Sequence, residues 1–543
     1  MQSGTEYVGG PFHWSGQIDD VGVADFGGMT TGTEQASDPT IRCGTRVRTH
    51  PVVQRNAGRL AAALAAAGLG AGDRVVVLVR NDIEFLEAHA AVSAIGANPI
   101  PVNTHWQPPE LAHVLRDSAA RLVIAHTEFV PIVERALAAT VTEVPVLEVE
   151  MAPELLAETG LDPDLAHPTG RYPTMREWID ARPEPIGHRD GAIADSMGVV
   201  YTSGTTGSPK GVLREPMAAE QLLSIAGAAA RRMGVRPGGQ LLVAGPLYHT
   251  SPNAVAVLGM RMGTNITIMP RFDAERFLHH IDTHGIEQAK IVPTMLSRLL
   301  SLPAEVRARY DVSSLTHLIH SAAPCPPAIK RAAIEWFGDA VWEYYGCSEA
   351  GTITWISADE WSAHSGSVGR PVDGSSVVIA DASGNPLSQG EIGRVFVRGA
   401  DYWPKFRYLN HGTTDSPVGG HISVGDIGYL DDDGFLFLTG RSSEIIISGG
   451  VNIYPAEIEA ALAEIEGVED AAVFGIADVA DRGEAVAADV VERPGAALTT
   501  DALRGALRGR LAAYKIPSRI RIVAELPRDE SGKINKRVLR EHM

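Results

Sequence analysis

The stretch Tyr201-Thr202-Ser203-Gly204-Thr205-Thr206-Gly207-Ser208-Pro209-Lys210-Gly211 follows the apolar pair Val199-Val200. Glycines let a backbone turn tightly and approach a ligand closely. Successive amides in such a turn form a concave anion site, and a lysine adds a mobile positive charge. The chemistry these residues suit is the binding of a polyphosphate. The spacing Gly204-x-x-Gly207-x-x-Lys210-Gly211 is not that of a Walker P-loop. A flexible Ser/Thr/Gly linker is the plain alternative, but the placed lysine and proline and the preceding strand speak against it. Other stretches offer charge or small residues. Tyr344-Tyr345-Gly346-Cys347-Ser348-Glu349 sets a carboxylate on a glycine turn, and Val424-Gly425-Asp426 does so again. Ser321-Ala322-Ala323-Pro324 is a small-residue turn, and Leu247-Tyr248-His249-Thr250-Ser251 puts a histidine after an apolar run. Ser531-Gly532-Lys533 ends the series near the C-terminus. Taken singly, each is ordinary: a turn cap, a packing histidine, a solvated lysine.

In this order, the stretches resemble the motifs of the adenylate-forming superfamily, which includes acyl-CoA synthetases, luciferases and the adenylation domains of peptide synthetases. The likeness extends over roughly residues 50–543 and is longest at Thr439-Gly440-Arg441 through Ile453-Tyr454-Pro455-Ala456-Glu457. It implies that Thr202, Ser203, Gly204, Thr205, Thr206 and Lys210 hold the ATP phosphates, with Thr205 among the catalytic contacts. It gives Glu349 to Mg²⁺, a hard cation that takes oxygen ligands. Ser348 then donates to the α-phosphate, and Tyr345, with Gly346 beside it, stacks near adenine. Ser321, Ala322, Ala323 and Pro324 form the turn against the base. Asp426 accepts from the ribose hydroxyls, as a carboxylate can with both oxygens. Arg441 contacts ribose and phosphate. Gly449 and Gly450 let the backbone pass the thiol of CoA, and Lys533 bridges the carboxylate and α-phosphate during adenylation. His249 borders the acid. Met260, Gly263, Ala322 and Gly351 suggest a pocket wall suited to a bulky apolar acyl group.

The resemblance departs in three places. Val424 stands for the usual Thr, Asp529 replaces Thr before the terminal lysine, and Ser443 occupies the pivot where Asp or Lys is usual. Hinge positions are often small, so serine can pivot, with an altered balance between two lid positions.

Val52–Ala67 has the Leu/Ala pattern of a helix, stopped by Gly68. Arg74–Val79, Pro99–Val102, Arg121–Ala125, Gln240–Ala244, Asn265–Met269 and Gln288–Val292 read as buried strands, with helices at Ile83–Ile95 and from Pro108. Such alternation predicts a mainly parallel α/β sheet. From Ser375 to Gly440, short Val/Ile/Phe runs separated by Asp-Gly and Ser-Gly turns predict antiparallel structure. The last hundred or so residues have a βα pattern of their own. The expected fold is α/β: a large domain over residues 1–440 with an antiparallel addition, and a small mobile α+β lid over 441–543, hinged near 441–443. Residues 1–40 and 150–190 read as surface segments.

At 543 residues the chain can bury a large core. Its net charge of −19 argues against nucleic acid as a partner. The segment 504–543 reverses that sign, with eleven Lys/Arg against four Asp/Glu, which suits a phosphorylated substrate or merely a solvated basic face. Cys43, Cys325 and Cys347 are too few and too scattered for a disulfide framework or zinc site, which points to a reducing cytoplasm. No signal peptide or transmembrane run is evident.

The expected activity is that of an acyl-CoA synthetase, an acid–thiol ligase using ATP, Mg²⁺ and CoA. Three alternatives stay open: an enzyme running one half-reaction, an adenylation enzyme loading a carrier protein, and a non-catalytic nucleotide-binding module. The acid and the assembly, a homodimer or otherwise, are left open by the sequence.

Overall fold

The computed structural model describes residues 7–8, 38–140, 143–182, 184–186, 198–202, 209–215, 217–410, 416–448, 451–477, 484–508, 510–528 and 533–542. The first strand, β1 (Tyr7–Val8), pairs antiparallel with Ser376–Val377, far along the chain. A hairpin of β2 (Thr40–Cys43) and β3 (Arg46–Thr49) leads into α1 (His50–Ala66). A four-stranded parallel sheet follows, built from β4 (Arg74–Leu78), β5 (Asn98–Pro101), β6 (Leu122–His126) and β7 (Val146–Val149) in the order β5-β4-β6-β7. Helices α2 (Ile83–Ala94) and α3 (Pro108–Ser118) connect its strands. The strands are nearly continuous apolar runs because parallel sheets are covered on both faces.

Helix α4 (Val130–Ala138) is followed by α5 (Pro153–Thr159) and α6 (Met175–Asp180), where the sequence reads as surface connection. Met175 and Ile179 instead join the main core. Thr174 and Glu177 form a reciprocal capping box that starts α6.

Strands β8 (Val200–Thr202) and β9 (Lys210–Arg214) flank the glycine-rich loop as an antiparallel pair, Thr202 opposite Lys210. Beyond α7 (Ala219–Met233) come β10 (Gln240–Val243), α8 (Thr250–Met262), β11 (Asn265–Ile268), β12 (Gln288–Ile291), β13 (His317–His320), β14 (Val341–Cys347), β15 (Gly351–Ser357) and β16 (Arg370–Pro371). These make a nine-stranded sheet ordered β16-β15-β14-β13-β12-β10-β11-β2-β3, parallel in its centre. The expected antiparallel region is a five-stranded sheet, in which β17 (Ser376–Ala380), β18 (Gly393–Arg398), β20 (Asp426–Leu430) and β21 (Leu436–Arg441) continue from β1. Strand β19 (Phe406–Tyr408) crosses instead to β9, so the sheet beside the phosphate loop draws on residues two hundred positions apart.

Two further apolar clusters use only residues from 446 onward. One gathers Ile446, Ile453, Ile458, Leu462, Leu503 and Leu507 with neighbours, and another Phe474, Leu526 and Leu539. A small α+β domain therefore follows a large one. Among the described residues no helix is long and apolar enough to cross a membrane.

Candidate nucleotide and acid site

Helix α3 fixes both ends of the glycine-rich loop. The Tyr201 hydroxyl donates to Asp117 at 2.8 Å, and a ring nitrogen of His113 lies 3.0 Å from the Pro209 carbonyl oxygen. Ser203, Gly204, Thr205 and Thr206 lie outside the described residues, as do Gly449 and Gly450. Of the loop's expected contacts, the strand-end pair Thr202 and Lys210 is placed, Thr202 by its backbone.

Lys210 meets the second motif through a residue the sequence reading missed. Its ammonium lies 5.7 Å from the Tyr408 ring centroid, while the Tyr408 hydroxyl donates to Glu349 Oε1 at 2.9 Å. Glu349 is buried. The Glu349 carbonyl accepts from the Trp403 indole at 3.2 Å, and the Ser348 carbonyl accepts from Arg214 at 2.6 Å. The Arg214 guanidinium lies over the Trp403 ring, 5.5 Å from its centroid. Backbone and side chain of the Ser348-Glu349 turn are thus held from β9 and β19.

The turn depends on two glycines. A Cβ on Gly346 would lie 2.1 Å from the Gly351 carbonyl oxygen. Gly351 adopts φ +73°, and a Cβ there would meet the Trp403 ring at 2.6 Å. Gly346 is therefore required by close approach within the β14–β15 hairpin.

Four residues before Glu349, Tyr345 reaches the ribose-type carboxylate. Its hydroxyl donates to Asp426 Oδ2 at 2.6 Å, and Arg441 Nε lies 3.1 Å from Asp426 Oδ1. Asp426 and Arg441 are register partners on β20 and β21, which explains their meeting. Burial, with the Asp426 charge beside it, pushes the Tyr345 phenol well up, so it stays a donor. Cys347 packs against the apolar cluster of the five-stranded sheet, and burial raises its thiol far above the ordinary range. It is a packing residue.

His249 caps the N-terminus of α8, its ring 4.5 Å from that of Tyr248. The next residue, Thr250, places its hydroxyl 2.9 Å from Ser348 Oγ. Ser251 accepts from the Tyr344 hydroxyl at 2.9 Å. Ser321 is buried beside Tyr344, and Ala322 takes φ +75°, a left-handed conformation rare for a residue with a Cβ. Ala323 and Pro324 continue that turn toward the helix Pro327–Phe337.

Lys533 is exposed in the small domain, immediately before Ile534, which bridges to Arg528. Arg528 is anchored to Asp470 at 2.7 Å. The residues expected in the acyl wall have different local settings. Met260 packs on the main core, Gly263 ends α8 with φ +70°, and Gly351 lies under Trp403.

The geometry gathers Lys210, Glu349, Asp426 and Arg441 around the end of β14. The family model for AMP-binding enzymes matches residues 31–403, and that for the AMP-binding enzyme C-terminal domain matches residues 457–533. The chain belongs to the adenylate-forming superfamily of AMP-binding enzymes. It is 31% identical over 524 residues to the fatty acid–[acyl-carrier-protein] ligase ScoC of Streptomyces coeruleorubidus, covering 93% of this chain and 94% of that one. It is 32% identical over 500 residues to a 2-succinylbenzoate–CoA ligase of Geobacillus kaustophilus, covering 92% and 93%. Among solved structures, ATP-bound MatB from Rhodopseudomonas palustris superposes with TM-score 0.79 at 27% identity over 94% of this chain and 97% of that one.

For an AMP-binding enzyme the fit to a magnesium ion is testable in the donor set. No group of three or more His, Cys, Asp or Glu that could hold a metal is present among the described residues. Glu349 offers one buried carboxylate with a single oxygen taken by Tyr408. That suits a cation which takes one or two carboxylates and completes its shell with phosphate oxygens and water.

Proposed function

We propose that the protein is an AMP-forming acid–thiol ligase that converts a carboxylic acid, ATP and CoA into an acyl-CoA. The observation that carries this reading is the convergence at the end of β14. Tyr345 holds Asp426, which pairs with Arg441 there, and four residues on Glu349 is tied through Tyr408 to Lys210. A ribose and a triphosphate attached to one nucleotide need those two clusters side by side.

In the first step, an oxygen of the substrate carboxylate attacks the α-phosphorus of ATP. The bond to pyrophosphate breaks, and acyl-AMP remains. Lys210 and the glycine-rich loop attract the leaving phosphates, Asp426 holds the ribose, and Lys533 offsets charge at the reacting oxygens. Glu349 would hold Mg²⁺, which when bound offsets phosphate charge. In the second step, the CoA thiolate attacks the acyl carbon and the carbon–oxygen bond to AMP breaks. No protein nucleophile is required, so catalysis rests on positioning and electrostatics. The small domain from 441 onward acts as the lid, pivoting near Ser443, with Gly449 and Gly450 beside the incoming thiol. A cytoplasmic setting supplies both ATP and CoA.

A second reading has a carrier-protein thiol in place of CoA, and the likeness to ScoC favours keeping it. A third, motivated by Ser443 at the pivot, has one half-reaction only.

The test is pyrophosphate release over an acid panel, with CoA or a carrier protein, run beside thioester formation from synthetic acyl-AMP. Acid-dependent pyrophosphate together with acyl-CoA is expected. Thioester from acyl-AMP with no pyrophosphate from any acid would overturn the two-step ligase.

A further inference from the structure

Two lysines sit within the nine-stranded sheet region, and they are treated differently. Lys330 is buried and has its counter-charge, with Glu343 Oε2 2.5 Å away. Lys290 lies on β12, an interior strand whose neighbours pair at Val243 and Ile319. Interior parallel strands are normally apolar on both faces, and lysine is seldom placed there without a partner. Among the described residues Lys290 makes no ion pair. Its ammonium lies 4.5 Å from the Tyr344 ring centroid and 3.3 Å from the Tyr344 hydroxyl.

The surroundings are polar at one point and aromatic around it. The Tyr344 hydroxyl also reaches Ser251 Oγ at 2.9 Å. The Tyr344 ring stacks on Trp355, centroids 6.0 Å apart at 14°, and Trp342 lies 5.9 Å beyond Trp355. Burial works to raise the Tyr344 phenol, yet Lys290 and the hydrogen bonding with Ser251 and Ser321 outweigh it and bring it below its usual value. The local field therefore favours negative charge.

This cluster is directly continuous with the reacting end of the site. Thr250 touches Ser348, and the next residue, Ser251, touches Tyr344. Tyr344 and Ser348 are four residues apart, at most about 13 Å of extended strand.

We propose that Lys290, with Tyr344 and Ser251, is the specificity determinant for an acid bearing a second anionic group, a carboxylate or sulfonate, at the far end of a short spacer. The ammonium forms charge-assisted hydrogen bonds to that distal group. The aromatic wall packs the spacer. A plain fatty chain would leave a desolvated ammonium facing methylene groups, which is unfavourable. The proposal rests on the ligase reading above and replaces the bulky apolar acid that the sequence suggests.

The test pairs succinate, adipate and suberate with butanoate, hexanoate and octanoate, and adds the ω-sulfonate analogues. Two readouts are taken: kcat/KM for acid-dependent pyrophosphate release, and direct binding by calorimetry. The wild-type protein should favour the doubly anionic acid by about tenfold to hundredfold. Lys290→Met should abolish or invert that ratio, mainly through KM, and Lys290→Arg should retain most of it. The carboxylate and sulfonate arms report which distal group is preferred. Preferential binding of the doubly anionic acid with no turnover would sink the ligase reading and leave this one standing. Turnover that favours the monocarboxylates would overturn this one and leave the ligase intact. Equal binding of both classes, or equal effects of Lys290→Met on both, would also overturn it.

Discussion

Tyr408 connects two motifs that the chain separates widely, and its hydroxyl is the recorded side-chain donor to Glu349. Replacing it with phenylalanine keeps the ring under Lys210 and removes one hydrogen bond to a carboxylate. Such bonds contribute about 1.5–3 kcal/mol. Tyr408→Phe is expected to slow acid-dependent pyrophosphate release by about tenfold or more. Thioester formation from preformed acyl-AMP should change much less, because no pyrophosphate leaves in that step. Equal loss in both assays would show that Tyr408 supports the fold of the turn instead. At this scale the sequence is uneven evidence. Glu349, Asp426, Arg441 and Lys533 stand in motifs with recognisable neighbours. Tyr408 and Lys290 do not, because what defines them is a partner on another strand. Tyr408 looks like any aromatic in a short edge strand until β19 is seen to pair with β9. The sequence does hint at Lys290, as a charge inside a stretch that reads as a buried strand, but a charge there has no meaning until its surroundings are known.

Among elements, the β14–β15 hairpin positions the most chemistry. Its tip carries Ser348 and Glu349, and its return strand starts at Gly351, wedged beneath Trp403. Gly351→Ala must place a Cβ 2.6 Å from that ring while holding φ +73°. Left-handed backbone alone costs about 1–2 kcal/mol for a residue with a Cβ. Displacing Trp403 adds about 1–3 kcal/mol as overpacking and breaks the indole bond to the Glu349 carbonyl. Urea denaturation should show destabilisation of about 2–5 kcal/mol, and adenylation should fall with it. An unchanged midpoint would mean that the hairpin tip yields freely. Elements were largely legible in the sequence because an apolar run bounded by glycine or proline admits few readings. The helix expected at Val52–Ala67 is His50–Ala66, and the strand expected at Gln288–Val292 is Gln288–Ile291. Within 150–190 the helices α5 and α6 are not legible, because they are too short for a helical period to stand out. The Thr174–Glu177 capping pair was the available signal. The pairing of β1 with β17 and of β19 with β9 depends on contacts between distant residues, which local pattern does not encode.

In the whole molecule, the last helix of the small domain is bound to the chain that leaves β21 by Lys536. Its ammonium lies 2.9 Å from Glu444 Oε2 and 2.9 Å from Glu459 Oε1, which ties the last helix to the segment just past Ser443. Lys536→Met would leave two acids facing each other, with Glu444 a third exposed. Breaking a fully buried pair costs about 3–5 kcal/mol, so about 2 kcal/mol is expected after allowing for that solvent access. The adjoining segment carries Lys533, so pyrophosphate release should fall more than thioester formation from acyl-AMP. An equal fall in both would place the effect on folding of the small domain alone.

Acid sensitivity is also a property of the whole molecule, because it depends on charges that folding buries. His89 and His126 are fully buried, and burial lowers both from 6.5 to about 3; His320 is lowered in the same way, well below 6.5. Between pH 6.5 and about 3 the unfolded chain binds protons at these rings and the folded chain does not. Stability therefore falls as pH drops through that window, and it is fully present above 6.5. Each ring contributes a slope of up to about 1.4 kcal/mol per pH unit. Asp82 has the opposite sign: burial raises it to about 8, so folding takes up a proton there as pH falls. His89 separates the two effects, since it stacks on Phe85 in an apolar helix interface and its Nε2 is buried without a hydrogen bond. His89→Leu should leave stability near pH 7 equal or higher and reduce the pH 5–6 slope by about 1.4 kcal/mol per unit. Asp82 is common to both proteins and cancels in the difference. Chemical denaturation of wild type and variant at pH 7, 6 and 5 measures it, and parallel curves would show that His89 is not neutral and buried in the folded state.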